Sequence, residues 1–266
     1  MRPSAIALAL SASLLVSTGA YAGQAEGAAS QGSTAPAPPV GTERRAGFRT
    51  LFRDLAGDFA HVPSRDSLIV GAIGGGAALA VHPFDDTFNQ HLQGSSLFNA
   101  GDRLGNTGTL IGATFAVYSV GLVTGHRQVT HVAMDLLRAE VVSEGMVQVL
   151  KMTTSRERPD GSNSLSFPSG HTAVTMAAAT VLQRHYGLKW ALPVYGLATY
   201  VAMSRLHDNV HYLSDVVFGA AVGEIAGRTV TRHGPKNFAL MPAVVPGGAG
   251  LFFVRLHTTP EVAPGN

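Results

Sequence analysis

Six apolar segments of helical length run through this sequence, and they constrain its fold more than any other feature. Each segment is predicted as an α-helix, because its apolar residues continue over more positions than a typical strand has. Six such helices predict an all-α protein built as a six-helix bundle. The segments cover residues 66–82, 108–125, 129–151, 171–185, 188–204 and 212–230.

Two segments flank this bundle. Around residues 48–59, apolar residues recur at helical spacing, which predicts an amphipathic helix that packs on the bundle. After the sixth helix, two short apolar runs at 238–245 and 250–256 flank Pro246-Gly247-Gly248, which predicts a short β-hairpin with a glycine turn. We expect this hairpin to cover the bundle and to carry no catalytic residue.

The N-terminal part of the chain has the pattern of an export signal. An apolar run follows Met1-Arg2, and Ala20-Tyr21-Ala22 fits a small-residue cleavage site. A stretch rich in Ala, Gly, Ser, Gln and Pro then predicts a disordered linker. The expected organisation is a signal peptide (1–22), a linker (23–45), the helical domain (46–235), and the C-terminal hairpin and tail (236–266).

The charge balance and the absence of cysteine narrow the function classes. The chain has 19 basic and 17 acidic residues, so its overall charge does not equip it to bind nucleic acid. It has no cysteine and therefore forms no disulfide. Any chemistry that depends on charge must come from local clusters.

Three permanent cations lie in short motifs next to predicted helix ends. Lys151 and Arg158 follow the third segment, and Arg205 follows the fifth. Arginine matches an oxyanion with a planar fork of donors, whereas lysine supplies a point charge. Together these residues could share the charge on phosphate oxygens in place of a metal ion.

A Pro168-Ser169-Gly170-His171 run stands directly before the fourth segment. Backbone N–H groups at a helix N-terminus have no partner inside the helix and attract anions. Those of Ser169, Gly170 and His171 are therefore predicted to point at a bound oxyanion. Because Gly170 has no side chain, the backbone can approach the anion closely.

His211 and Asp215 form a third motif. They are four positions apart, so on a helix they share a face. The carboxylate can hold the proton of one ring nitrogen and leave the other nitrogen as a nucleophile. This is the arrangement of a catalytic triad, with histidine as the attacking group.

The three motifs, in this order, resemble those of the type 2 phosphatidic acid phosphatase (PAP2) and vanadium haloperoxidase superfamily. That pattern is K-x6-RP, then PSGH, then SR-x5-H-x3-D. The segments 151–159, 168–171 and 204–215 match it without departure. The resemblance covers roughly residues 66–231 and implies the six-helix core of that superfamily.

The resemblance also implies a role for each position. His211 would become a covalent phosphohistidine, and Asp215 would orient it. His171 would protonate the leaving oxygen and later activate water. No metal ligand and no cofactor are implied. The residues that would bind the phosphoryl oxygens are Lys151, Arg158, Ser169, Gly170 and Arg205.

The expected function is therefore a metal-independent phosphatase for a phosphomonoester or pyrophosphate. The alternative is a vanadium-dependent haloperoxidase, because vanadate mimics phosphate and the same residues would hold it. Haloperoxidases of this superfamily are generally much longer, so the length of this chain favours the phosphatase. A scaffold that merely binds anions is disfavoured, because every catalytic position is intact. Lipid phosphates and soluble phosphates both remain open as substrates, and the oligomeric state is unknown.

The predicted helices leave two locations open. They hold roughly 14 to 18 uninterrupted apolar or small residues, at or below the length of a membrane span. The third segment carries Asp135, Arg138, Glu140 and Glu144, which are costly in a bilayer unless they turn inward. With a cleaved signal peptide, three spans would also put the site in the cytoplasm. We therefore expect an exported, periplasmic bundle with at most peripheral membrane contact. The alternative is an integral membrane protein with its active site on the periplasmic face.

The connection at 82–107 has two interpretations. Its apolar side chains could contact an acyl chain of a substrate, or they could be ordinary buried aromatics of a helix connection. These side chains are Phe84, Phe88, Leu92, Leu97 and Phe98.

Eight further histidines show no ligand partner at zinc-like spacing, so no metal site is expected at them. They are His82, His91, His126, His131, His185, His207, His233 and His257, of which His207 lies inside the third motif and could line the pocket.

Overall fold

A computed structural model describes residues 48–92, 96–232, 238–245 and 248–255. The predicted signal peptide (1–22) and linker (23–45) lie outside these residues and stay predictions, as do the domain limits drawn from them.

The described residues form a run of helices followed by two strands. One turn of 3₁₀-helix lies at His82–Phe84 and another at Ser96–Phe98. The longer elements are α1 (Phe48–His61), α2 (Arg65–Val81), α3 (Asp85–Leu92), α4 (Gly101–Leu104), α5 (Thr107–Thr124), α6 (Arg127–Thr154), α7 (Gly170–Tyr186), α8 (Leu188–His207), α9 (Leu213–Val230), β1 (Phe238–Val245) and β2 (Gly248–Arg255).

The predicted bundle is confirmed, because the six apolar segments correspond to α2 and to α5 through α9. Two of these helices are longer than predicted, since α6 continues to Thr154 and α8 to His207. Lys151 and Arg205 therefore lie in the last turns of helices. The connection at 82–107 is not one loop, because it contains the short helices α3 and α4.

The predicted C-terminal hairpin is present in the backbone. β1 and β2 pair antiparallel, with Phe238 opposite Arg255 and Val245 opposite Gly248. The second strand begins at Gly248, two residues before the predicted apolar run.

A glycine stripe on α9 sets how closely α9 lies against α7. A Cβ atom at Gly223 would lie 2.2 Å from the carbonyl oxygen of Ala173, and one at Gly219 would lie 2.6 Å from that of Ser169. Gly227 continues the stripe, since a Cβ there would lie 2.6 Å from Thr180. Because only glycine fits at these contacts, the N-terminal turns of α7 and α9 come side by side.

The charged residues of α6 turn toward the protein interior. Asp135 is fully buried and accepts a hydrogen bond from Arg138 at 3.0 Å. Glu140 is also buried and accepts one from Thr114 of α5 at 2.7 Å. These charges therefore no longer argue against a membrane location, because their partners lie inside the protein.

Two helical segments, α5 and α2 with most of α3, contain long apolar windows and yet lie mostly on the surface. By length and composition, Arg65–Gln90 and Thr107–Thr124 could each cross a membrane, and only 22% and 17% of their apolar windows are buried. An all-apolar helix belongs either in a protein core or in a bilayer, and neither segment lies in the core. The two segments support the integral-membrane alternative over the soluble periplasmic bundle.

Candidate active site

The predicted site residues meet where four helix ends converge. Lys151 lies in the last turn of α6 and Arg205 in the last turn of α8. His171 lies in the first turn of α7 and Asp215 in the first turn of α9. The backbone N–H of Ser169 donates to the carbonyl oxygen of Asp215 at 3.1 Å, which joins the second and third motifs directly.

Asp215 is the best-connected carboxylate of this cluster. It is fully buried and accepts from Ser166 Oγ at 2.5 Å and from Arg156 Nη1 at 2.6 Å. The backbone N–H of Tyr212 donates to it at 2.9 Å, so Asp215 closes a capping box at the start of α9. These bonds turn the carboxylate back toward residue 211.

His211 lies next to this carboxylate, as its spacing predicted. Its Nδ1 is 3.7 Å from Asp215 Oδ2, an ion-pair contact that is longer than a hydrogen bond. Nδ1 is buried and has no hydrogen-bond partner among the described residues. A shift of about 1 Å would bring the pair to hydrogen-bond distance.

The electrostatics of the pair suit a nucleophilic imidazole. Burial lowers the pKa of His211, and the nearby Lys151 and Arg158 lower it further, so the ring is neutral at neutral pH. Burial alone would raise the pKa of Asp215, but the neighbouring His211 ring, the hydrogen bond from Ser166 and the charge of Arg156 lower it on balance. An ionised carboxylate therefore faces a neutral ring, whose protonated nitrogen it can hold.

Arg156 is a central residue that the sequence analysis missed. Its guanidinium donates to Asp215, to Ser214 Oγ at 2.7 Å and to Asp85 Oδ2 at 2.8 Å. Asp85 in turn accepts from the backbone N–H of Ser214 at 2.8 Å. The sequence shows Arg156 between the predicted phosphate ligands Lys151 and Arg158. No local pattern indicates that it bonds Asp215 and is not a phosphate ligand itself.

Two of the three cations predicted to bind phosphate have a buried donor without an acceptor among the described residues. Lys151 is 9% exposed, and burial, followed by the charge of Arg158, lowers its pKa. The Nε atoms of Arg158 and Arg205 are buried and have no hydrogen-bond partner among the described residues. Buried donors without acceptors are costly, so this cluster favours binding an oxyanion.

Asp102 is a second residue that the sequence analysis missed. Its Oδ1 lies 2.5 Å from Arg205 Nη1 and 3.3 Å from His171 Nε2. The hydrogen bond from Arg205 lowers the pKa of Asp102. A Cβ at the preceding Gly101 would lie 2.2 Å from the Ser204 side chain, so α4 can approach α8 closely enough to deliver this carboxylate.

His171 is neutral in this arrangement. Burial, with a further contribution from the positive charge of Arg205, lowers its pKa to about 4. Asp102 acts in the opposite direction and raises it. The carboxylate of Asp102 is thus the group that favours the protonated ring needed for general acid catalysis.

The start of α7 offers fewer amides than predicted. The N–H of Ser169 is taken by Asp215, and Ser169 Oγ accepts from Thr172 Oγ1 at 3.0 Å. The Ser169 side chain makes no capping hydrogen bond to the first turn. This leaves the N–H groups of Gly170 and His171 for an anion, and the binding role of Ser169 and Gly170 stays a prediction.

An apolar cavity of about 470 Å³ lies beside the Asp215 network, between α2, α6 and α9. Leu79, Phe167 and Phe218 line it, and Arg156 and Ser214 lie at its polar side. A cavity of this character can hold a hydrocarbon chain next to the Asp215 network.

Of the apolar side chains in the connection at 82–107, some are ordinary buried residues and others remain candidates for contact with an acyl chain. Phe88 and Leu92 pack against the core cluster of α2, α8 and α9, as ordinary buried residues do. Phe98 contacts the rings of Tyr200 and His207. Phe84 and Leu97 remain exposed, so an acyl contact stays a prediction for these two.

Comparison with known proteins agrees with the motifs. Residues 132–239 match the family model of the PAP2 superfamily. Lipid A 1-phosphatase of Porphyromonas gingivalis is 42% identical over 86 residues, which are 31% of this chain and 19% of that protein. Decaprenylphosphoryl-5-phosphoribose phosphatase of Mycobacterium tuberculosis is 37% identical over 102 residues, which are 35% of this chain and 56% of that protein.

Similarity to a solved structure extends over more of the chain. The crystal structure of Aquifex aeolicus LpxE has a TM-score of 0.48 and 22% identity, and the alignment covers 56% of this chain and 95% of that one. The two curated relatives are covered over only 19% and 56% of their own lengths. In its ordered motifs and in residues 132–239, the chain is thus similar to the PAP2 superfamily.

Proposed function

We propose that this protein is a phosphatase that hydrolyses a lipid phosphate, as a monoester or pyrophosphate, through a phosphohistidine on His211. The observation that carries the proposal is the set of charged groups around His211. A neutral, buried imidazole lies between an ionised carboxylate and three cations, two of which have buried donors without acceptors.

The first half-reaction forms the covalent intermediate. Lys151, Arg158 and Arg205 bind the phosphoryl oxygens, and His211 Nε2 attacks phosphorus. The bond from phosphorus to the leaving oxygen breaks, and His171 gives that oxygen its proton. Asp215 stabilises the positive charge that develops on the His211 ring.

The second half-reaction releases phosphate. A water molecule attacks phosphorus, His171 takes the proton of the water, and the bond between phosphorus and His211 breaks. His171 must be protonated at the start, although burial lowers its pKa to about 4. Binding a phosphate dianion beside the ring raises that pKa, since opposite charge favours the protonated form.

Metal is not needed for this route, because three side-chain cations share the charge that a metal would otherwise neutralise. The same cations would accept vanadate. A haloperoxidase is therefore the alternative chemistry for this pocket, and no further feature of the described residues favours it.

A lipid substrate is supported by the apolar surroundings of the site. The cavity lined by Leu79, Phe167 and Phe218 can take a hydrocarbon chain. The exposed apolar surfaces of α2 and α5 suit contact with a bilayer. The two curated relatives carry names of phosphatases for lipid A and for a decaprenylphosphoryl sugar phosphate, which supports the same substrate class.

Phosphate release tests the proposal. The purified protein in excess chelator is given a dispersed lipid phosphate and a soluble aryl phosphate side by side. We expect release that is faster from the lipid, is abolished in His211→Ala, and is kept in His126→Ala, whose exposed histidine lies at the far end of α6. Acid-labile phosphate on wild-type protein after a rapid quench would mark the intermediate, and full activity of His211→Ala would overturn it.

We also propose that the bundle spans a membrane with the site on the periplasmic face. Cytoplasmic loops are enriched in Lys and Arg. At the site end, Lys151, Arg156, Arg158 and Arg205 belong to the site cluster itself, which leaves Arg103 there as a cation outside the cluster. The opposite end of the bundle carries Arg127, Arg184, Lys189, Arg228 and Arg232. This orientation puts the α1–α2 junction in the cytoplasm, so it requires that residues 1–22 do not carry residues 23–65 across the membrane. Cleavage after Ala22 would instead turn the site to the cytoplasm.

Cysteine labelling distinguishes the two orientations, and the chain has no native cysteine to interfere. Ser162→Cys marks the site end and Lys189→Cys the opposite end, and both positions are exposed. We expect a membrane-impermeant maleimide to label intact spheroplasts at position 162 and to reach 189 only after lysis. The reverse pattern would refute the orientation.

A further inference from the structure

Two histidines and an aspartate that are distant in sequence meet at the end of the bundle away from the active site. His131 and Asp135 lie one turn apart on α6, and His185 lies in the last turn of α7. One ligand atom of each residue lies within 4.8 Å of the others. We propose that this cluster binds a divalent transition metal of the zinc class.

The distances suit a tetrahedral ion after small adjustments. Asp135 Oδ2 lies 2.9 Å from His185 Nε2 and 3.7 Å from His131 Nε2. Bonds of about 2.0–2.1 Å in a tetrahedral zinc site place neighbouring ligand atoms roughly 3.3 Å apart. The two histidine-to-aspartate distances lie on both sides of that value, and the two histidine nitrogens lie within 4.8 Å of each other, so side-chain adjustments can bring the three ligand atoms around one ion.

The chemistry of the donors selects the metal. Two imidazole nitrogens and one carboxylate oxygen suit zinc and its neighbours in the first transition row. Magnesium and calcium prefer sites made of oxygen ligands alone. Three protein ligands leave a fourth position for water. The His131 side chain is 42% exposed, which leaves that side of the cluster open to the ion and to water.

A supporting network holds the carboxylate in place. Asp135 is fully buried, and its Oδ1 accepts from Arg138 Nη1 at 3.0 Å. Arg138 is itself fixed by Asp58, to which it donates twice at 2.7 Å. Because Arg138 occupies Oδ1, Oδ2 is the oxygen that faces the two histidines. Such outer contacts orient the ligands of metal sites.

From the sequence, no metal ligand is expected among the histidines outside the motifs, and the proposed site departs from that prediction for His131 and His185. The spacing of His131 and Asp135 was visible, but His185 comes from another helix, and only the packing of α6 on α7 brings it there.

The proposed metal would brace two helices and take no part in the reaction. His131 lies 20 residues before Lys151 on α6, which is about 30 Å along the helix axis. The site is thus independent of the proposed phosphatase function, and either can fail without the other.

Cobalt provides the direct test. Wild-type protein whose affinity tag has been removed is stripped with chelator and titrated with Co²⁺, and the visible absorption is recorded. We expect one equivalent to give the intense bands of a four-coordinate site and Zn²⁺ to displace it. His131→Gln and His185→Gln should each weaken binding at least about tenfold, whereas the matched control His126→Gln on the same helix should bind like wild type.

Several results would overturn the proposal. They are the absence of a cobalt band in wild type, an octahedral spectrum only, or equal binding by His131→Gln and His185→Gln. Circular dichroism and chelator-resistant phosphate release verify that the variants fold. If the variants do not fold, a modification experiment on the wild-type protein tests the site instead. Zn²⁺ should protect His131 and His185, but not His126, from modification by diethylpyrocarbonate, which mass spectrometry maps. Equal modification of all three histidines would refute the site.

Discussion

The glycine stripe between α7 and α9 makes a quantitative prediction about Gly223. Gly223→Ala adds a Cβ atom that would lie 2.2 Å from the carbonyl oxygen of Ala173. Real contacts of this kind stay beyond about 3 Å, so the helices must separate by roughly 1 Å. Overpacking of this kind costs about 1–3 kcal/mol, and the better helix propensity of alanine offsets at most about 1 kcal/mol.

The same shift should reach the chemistry, because α7 carries His171 and α9 carries Asp215. A misplacement of about 1 Å between reacting groups can reduce the rate by about 10²-fold. We therefore expect Gly223→Ala to lower both the unfolding temperature in detergent and kcat for the lipid phosphate. Its effect on KM should be smaller, since the cations that bind phosphate lie on α6, α8 and the loop after α6.

A matched control separates packing from helix propensity. Gly76 lies on α2, and a Cβ there would meet nothing within 4 Å. Gly76→Ala should therefore keep full activity and gain up to about 1 kcal/mol in stability. If Gly223→Ala were as stable and as active as Gly76→Ala, the close approach of α7 and α9 would not be what positions the two motifs.

Three further predictions concern the ionisable groups of the site. Asp215→Asn should reduce kcat by on the order of 10³–10⁴ with little change in KM, because it removes the charge that stabilises the His211 ring; equal losses in KM would show a binding role instead. Asp102→Asn should move the alkaline limb of the rate profile to lower pH, since Asp102 raises the pKa of His171; an unshifted profile would exclude this coupling. Because the pKa of His171 is about 4 when folded and about 6.5 when unfolded, the unfolded chain takes up the proton first as pH falls. Stability should therefore decrease from about pH 6.5 to pH 4, by on the order of 2–3 kcal/mol at most, and thermal unfolding of His171→Gln should show a weaker dependence.

Sequence reasoning reached the site residues whose roles follow from local order and spacing. His211 and Asp215 share a helix face because they are four positions apart, and the Pro168-Ser169-Gly170-His171 run begins a helix because the apolar segment follows it. The bundle itself was predictable for the same reason, since each helix is a continuous apolar segment. What these features have in common is that each is decided within a few turns of chain.

The residues that sequence reasoning missed act across long separations. Asp85 bonds Ser214 across 129 positions, and Arg205 reaches Asp102 across 103. Neither pairing produces a periodic pattern in the sequence, because each pairing depends on how two distant helix ends meet in space. The inward charges of α6 were misjudged for the same reason. Only the packed structure supplies Thr114 to Glu140 and Asp58 to Arg138.

The position of α9 at the end of the helical domain has a consequence for how the protein is made. The cations of the first motif and the histidine of the second are synthesised first, but His211 and Asp215 enter with the last helix of the bundle. Until α9 lies against α7, the carbonyl oxygens of Ser169 and Ala173 face no glycine stripe, and Arg156 has no Asp215 to hold. A nascent chain that stops before α9 therefore has the cations proposed to bind phosphate without the proposed nucleophile. Under the proposed mechanism, the site is completed in a single step, when the last helix inserts.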